Sequence, residues 1–255
     1  MTKVLIINPH YDDPALPYFE CAPKEVYEYL SGEGEDVAII EDDATPEKLR
    51  EYILNHPEIE HIYALGHGSN DTYTVIDTEP FLSTVLNLDL VKDRVISLLS
   101  CLTAKELGAA IVQAGAIAYF GYSEEVITFA VPTPCGSRFA IAPIVGDIEK
   151  EKSLHAKKDY EECYNDAISR WNEEIEYWRE NYDKEKYNGE QVTEELAGEL
   201  INTIIHNRDC FTLMLPTSLP PAPPSPVPEI ILSLFSITAL GGLIMHQTPA
   251  LRRWF

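Results

Sequence analysis

Short runs of apolar, β-branched residues alternate with amphipathic stretches along the first half of the chain. The runs at 3–7, 36–40, 59–66, 94–100 and 116–121 are each bounded by charge on one side and by a small or polar turn on the other. Continuous rather than alternating apolar runs of this length read as strands buried on both faces, as in a parallel sheet. Helical periodicity fills the gaps at 23–30, 46–55 and 103–113. The helix at 46 has a strong start, with Thr45 as cap and Pro46 at the first helical position. Strand and helix in this order predict βαβ units with right-handed crossovers, and so an α/β fold: a three-layer α/β/α sandwich around a mostly parallel sheet. Residues 72–76 fit a small hairpin arm.

Beyond residue 123 the pattern loosens, with Pro132, Pro134, Gly136 and Pro143 breaking long elements. From about 149 to 182 a long charged helix is predicted, with Trp171, Ile175 and Trp178 on one face. The Asn188-Gly189 break precedes a second helix at 193–206 and a last strand at 210–215, so that 149–206 reads as a helical addition within a domain spanning 1–215. Residues 216–229 read as an extended polyproline linker, with seven prolines between 216 and 228. An uncharged, mostly apolar run then fills 230–251, which as a helix would span roughly 33 Å, enough for a hydrocarbon core. Arg252, Arg253 and Trp254 in the tail at 252–255 suit an interface. A C-terminal hydrophobic helix tethering the chain to a membrane is therefore expected. The absence of a leader-like N-terminus places the folded part on the cytoplasmic side, although the two arginines argue for the opposite topology.

The net charge of −23 excludes nucleic-acid backbones as partners. It fits cationic partners, and equally a general adaptation for solubility. Five cysteines, scattered and without a CxxC pair, form neither a zinc site nor a disulfide framework, and a reducing compartment is the default. No cofactor is implied.

Ligand and catalytic groups gather at the carboxyl ends of strands in open α/β sheets. Two such ends carry chemistry: the third strand runs into His67-Gly68 and the fourth into Ser100-Cys101. A thiol gains nucleophilicity from a neighbouring imidazole and from free N–H groups at a helix start, here expected at Thr103. Gly68 permits close backbone approach, and its N–H together with that of Cys101 would form an oxyanion hole.

Tyr63-Ala64-Leu65-Gly66-His67-Gly68-Ser69, Leu98-Leu99-Ser100-Cys101-Leu102 and the 115–123 segment Gly-Ala-Ile-Ala-Tyr-Phe-Gly-Tyr-Ser resemble three signature segments of the caspase-like cysteine peptidases. The gingipain branch and the related CHAT domains are the most similar. Pro9-His10 after the first strand, and Asn207-Arg208-Asp209-Cys210-Phe211-Thr212-Leu213, are similar to the same branch. The resemblance covers about 3–215. It implies a caspase-like sandwich acting on polypeptide substrates, with Cys101 as nucleophile, His67 as catalytic base or leaving-group acid, and Gly68 and Cys101 as oxyanion donors. Activation by a partner protein would fit such an enzyme. In that clan the residue beneath the P1 side chain often follows the first strand, which here means Asp12 and Asp13. Carboxylates there suit Arg or Lys, and Glu124 and Glu125 are rival acids. Two alternatives remain open at this point. One is a catalytically idle caspase-like module that binds a partner. The other is a zinc hydrolase, since Asn8-Pro9-His10-Tyr11-Asp12-Asp13-Pro14 is similar to a deacetylase zinc signature, but lacks its second Pro and its Glu.

Overall fold

The computed structural model describes residues 3–9, 20–41, 44–76, 79–128, 135, 137–187 and 189–218. The expectations for 219–255, including the membrane helix and basic tail, and those for His10, Asp12 and Asp13 lie outside these residues. Among the described residues no helix is long and apolar enough to cross a membrane.

Strands β1 (Lys3–Ile7), β2 (Asp36–Ile40), β3 (Ile59–Leu65), β7 (Val95–Leu99) and β8 (Ala118–Tyr122) pair in parallel. Between β3 and β7 lie β4 (His67–Gly68), β5 (Thr72–Ile76) and β6 (Glu79–Ser83), which form a separate antiparallel sheet. The edge strand β11 (Phe211–Met214) joins β8 antiparallel, giving the order β11-β8-β7-β3-β1-β2. A two-residue ribbon, β9 (Lys186–Tyr187) with β10 (Glu190–Gln191), stands apart. The helices are α1 (Cys21–Gly32), α2 (Pro46–Asn55), α3 (Leu107–Gln113), α4 (Arg138–Ile141), α5 (Val145–His155), α6 (Tyr160–Asn181) and α7 (Glu194–Cys210).

The pleat sorts the apolar runs between two cores. Val4 and Ile6 of β1, Tyr63 and Leu65 of β3 and Phe120 of β8 face α1, α5, α6 and α7. Leu5 and Ile7, Ile62 and Ala64, and Ile96 and Leu98 face α2, α3 and the small sheet. Burial on both faces is why these strands read as continuous apolar runs. The three-layer α/β arrangement is thus as the pattern predicts. Trp171, Ile175 and Trp178 form the buried stripe of α6, and Trp171 packs so closely on α5 that a Cβ on Gly146 would overlap its ring.

Three expectations are corrected. The single helix at 149–182 is two: Lys157 adopts a left-handed φ of 58°, and Asp159 starts α6 with a reciprocal capping box to Glu162. The polyproline stretch begins with a short 3₁₀ turn at Pro216–Ser218. Finally, Cys21 and Cys135 form a disulfide, leaving Cys101, Cys163 and Cys210 free. Spacing could not reveal this pair, because 114 positions separate its members and only the packing of α1 brings them together.

Candidate active site

The pairing of Leu65 with Leu99 sets the ends of β3 and β7 side by side, and the chain leaves each at the same edge of the sheet. From β3 it passes through Gly66, whose N–H donates to the Leu99 carbonyl at 3.4 Å, into His67-Gly68. Gly68 is seated directly on the segment after β7. A Cβ there would overlap the Cys101 carbonyl oxygen and Ser100 Oγ, and would lie 2.6 Å from Thr103 Cγ2. Only glycine fits this approach. The His67-Gly68 segment is thereby held against the Cys101 backbone, and His67 and Cys101 are both half-buried.

Bonded and non-bonded pairs alternate along an antiparallel ladder. Ser69 N–H donates to Thr72 O at 2.8 Å, and the register runs His67–Thr74 and Gly68–Tyr73. Gly68–Tyr73 is therefore the non-bonded pair, and the Gly68 N–H points away from β5.

The helix expected at Thr103 begins at Leu107 instead, and α3 has seven residues. The cause is local. Leu102 takes a left-handed φ of 62° immediately after Cys101, a conformation costly for a residue with a side chain and concentrated at functional turns. The Leu102 and Ala104 N–H groups then donate to Glu124 O and Tyr122 O at the end of β8, at 3.0 and 2.9 Å. Thr103 Oγ1 turns back to Ser100 O at 3.1 Å, and Asn70 O accepts from Glu106 and Leu107 at 2.9 and 2.8 Å. α3 therefore starts six residues after Cys101.

The thiol has one backbone donor instead: Val126 N–H lies 3.3 Å from Cys101 Sγ. Burial pushes the Cys101 thiol above its ordinary pKa; the Val126 N–H pulls it down, and the nearby Glu125 charge adds to the rise. The group is thus a neutral thiol at physiological pH, awaiting a base. Glu124 is exposed, with its carboxylate 3.5 Å from Lys105 Nζ. Among the described residues no group of three or more His, Cys, Asp or Glu is placed to hold a metal ion.

Sequence reasoning missed the support behind Val126. Asn207, fully buried on α7, accepts from Ile127 N–H through Oδ1 at 2.9 Å and donates through Nδ2 to Ile127 O and Pro143 O at 2.8 and 2.9 Å. His206 Nε2 donates to Glu125 O at 2.7 Å. Together they clamp residues 125–127 over the thiol. The available signal was an amide on the apolar stripe of a helix, since Asn207 follows Leu200, Thr203 and Ile204 on the buried face. Asn207→Ala removes the partners of the Ile127 N–H and carbonyl, while Pro143 O keeps its Trp171 Nε1 donor at 3.2 Å, at roughly 1–3 kcal/mol for each group that stays dry. A lowered urea midpoint with an unchanged slope is the expected result.

No protein-family model matches the chain, and neither does any curated protein. Among solved structures it is similar to the crystal structure of the Arg-specific cysteine proteinase gingipain R, with a TM-score of 0.45 and 12% identity. That alignment covers 68% of this chain and 43% of the other, so the chain spans less than half of that proteinase's length.

Proposed function

We propose that this chain is a cysteine peptidase of the caspase-like kind, with Cys101 as nucleophile and His67 as its base. The observation that carries the reading is the seat of Gly68 on the Cys101 carbonyl, which brings the two chemistry-bearing strand ends into one site. Because burial holds the thiol neutral, the proton must leave Cys101 as the sulfur attacks, and this reading assigns its removal to His67. The same imidazolium then protonates the leaving amine. The Gly68 N–H, directed away from β5, and the Cys101 N–H are the donors assigned to the tetrahedral oxyanion. Water attacks the resulting thioester, with His67 again as base, and regenerates the thiol. Cleavage after Arg or Lys belongs to this reading through Asp12 and Asp13, with Glu124 and Glu125 at the rim. So do membrane attachment through 230–251 and activation by a partner protein; these rest on the sequence alone.

The raised thiol favours one second reading, an idle caspase-like module that binds a polypeptide. Alkylation separates the two. Iodoacetamide is expected to label Cys101 well before Cys163 and Cys210, whose thiols burial pushes up to about 12. His67→Ala should slow Cys101 labelling near neutral pH about tenfold, if the imidazole takes the proton. Equal labelling of all three thiols, or a rate indifferent to His67, would leave the binding module as the better reading.

A further inference from the structure

The chain leaving β8 at residues 123–127 runs between the last turn of α7 and the segment that carries Cys101, and it is held from both sides. On the α7 side, Ser123 N–H and Oγ donate to Cys210 O at 2.8 and 3.1 Å, and Glu125 O accepts from His206 Nε2 at 2.7 Å. Asn207 holds Ile127 at both its N–H and its carbonyl. On the other side, Glu124 O accepts from the Leu102 N–H at 3.0 Å, and the Val126 N–H lies 3.3 Å from Cys101 Sγ. The last turn of α7 thus holds 123, 125 and 127, while 124 and 126 reach the nucleophile segment.

The Glu125 carbonyl and the Val126 N–H belong to one peptide unit, which is planar and trans, so the two point in opposite directions. His206 and the Cys101 sulfur therefore sit at opposite ends of that unit, imidazole N–H to carbonyl and amide N–H to sulfur. A donor on the carbonyl polarises the amide and strengthens the bond that its N–H makes. A hydrogen bond to the sulfur favours thiolate over thiol, because the charged acceptor binds the N–H more strongly. The N–H thereby works against the burial and the Glu125 charge, which raise the Cys101 pKa. Asn207 fixes the next peptide, Val126–Ile127. It is fully buried, and a third bond, to Pro143 O, leaves its amide one orientation.

We propose that His206 and Asn207 are positioning residues that set the reactivity of Cys101 through the Glu125–Val126 peptide. Both act by holding the Val126 N–H on the sulfur. This role rests on Cys101 as the reacting group of the proposed peptidase. Its test reads the thiol and not proteolysis, so it is decided separately from the role given to His67 and from any cleavage.

The rate of Cys101 alkylation by iodoacetamide, followed by mass spectrometry of the Cys101 peptide in the full chain as pH is raised, gives the midpoint of the thiol. His206→Ala should move that midpoint up by about half a pH unit or more, the lower end for a hydrogen bond to a charged group, so that labelling below it slows about threefold or more. His206→Gln, which keeps an N–H donor at this half-buried helix position, should recover most of the parent's rate. Asn207→Ala should shift the midpoint in the same direction, and His206→Ala decides alone if that protein does not fold. A merely structural role has the opposite sign, since a loosened segment admits water and relief of burial lowers the midpoint. Glu124, Glu125 and His67 are common to parent and variants, so none of them accounts for a shift. The proposal is overturned if His206→Ala leaves the midpoint within about 0.2 units of the parent's, or lowers it. It is equally overturned if His206→Gln labels as slowly as His206→Ala.

Discussion

Lys150→Met should cost about 3–5 kcal/mol, the scale for breaking a buried ion pair from one side. Among the described residues Lys150 is the lysine or arginine in contact with Asp147 and Glu151, and its ammonium also stands 5.0 Å from the Tyr63 ring centroid and 5.5 Å from that of Phe120. Burial by itself would lower its pKa, but the two carboxylates outweigh this and raise it, so the ammonium is charged at neutral pH. Removing it leaves two carboxylates in an apolar setting with Tyr122 as the one remaining hydrogen-bond donor to Asp147. With a urea slope of roughly 2–3 kcal/mol/M for a domain of this size, the midpoint should fall by about 1–2 M. Lys150→Met combined with Glu151→Met should recover part of the loss, because a hydrophobic pair fills the same space without an uncompensated charge. A midpoint for Lys150→Met within about 0.3 M of the parent would mean that the cluster is solvated in solution.

The central strands were readable because they are buried on both faces, and the half-buried edge strand Asp36–Ile40 still forms an apolar run. Lys3–Ile7, Asp36–Ile40 and Pro46–Asn55 appear where the apolar runs and the Thr45-Pro46 start place them. Strand ends were readable for the same reason, and so were His67 and Cys101 as a pair worth testing. What escaped depends on contacts between distant residues. The late start of α3 follows from the Glu124 and Tyr122 carbonyls capturing the Leu102 and Ala104 N–H groups, which no local pattern records. The Cys21–Cys135 bond joins positions that meet only after α1 has packed. The break between α5 and α6 was nearer to the surface of the sequence: Asp159 and Glu162 spell a capping box, overlooked because the surrounding charge reads as one solvated helix. The charged cluster beneath the sheet was hidden because Asp147, Lys150 and Glu151 look like an ordinary exposed i, i+3, i+4 face. They are buried because α5 lies against the sheet on one side and α6 on the other.

Loss of peptide hydrolysis in Cys101→Ala is the largest effect expected of any single change. A residue that forms the covalent intermediate works as a unit with its base, so removing it should cost a factor of about 10³ or more in kcat. The substitution is nearly isosteric at a half-buried position and removes one contact, the Val126 N–H on Sγ, so the fold should survive it. The direct measurement uses the full chain with the Cys21–Cys135 bond intact, assayed against fluorogenic peptides carrying Arg, Lys, Asp or Asn before the scissile bond. Hydrolysis of at least one peptide by the parent, abolished in a folded Cys101→Ala, is the predicted result, and cleavage after Arg or Lys would further support an acidic P1 pocket. Equal hydrolysis by parent and variant, or none of the four peptides cleaved by the parent, would contradict the assignment of Cys101 as a peptidase nucleophile.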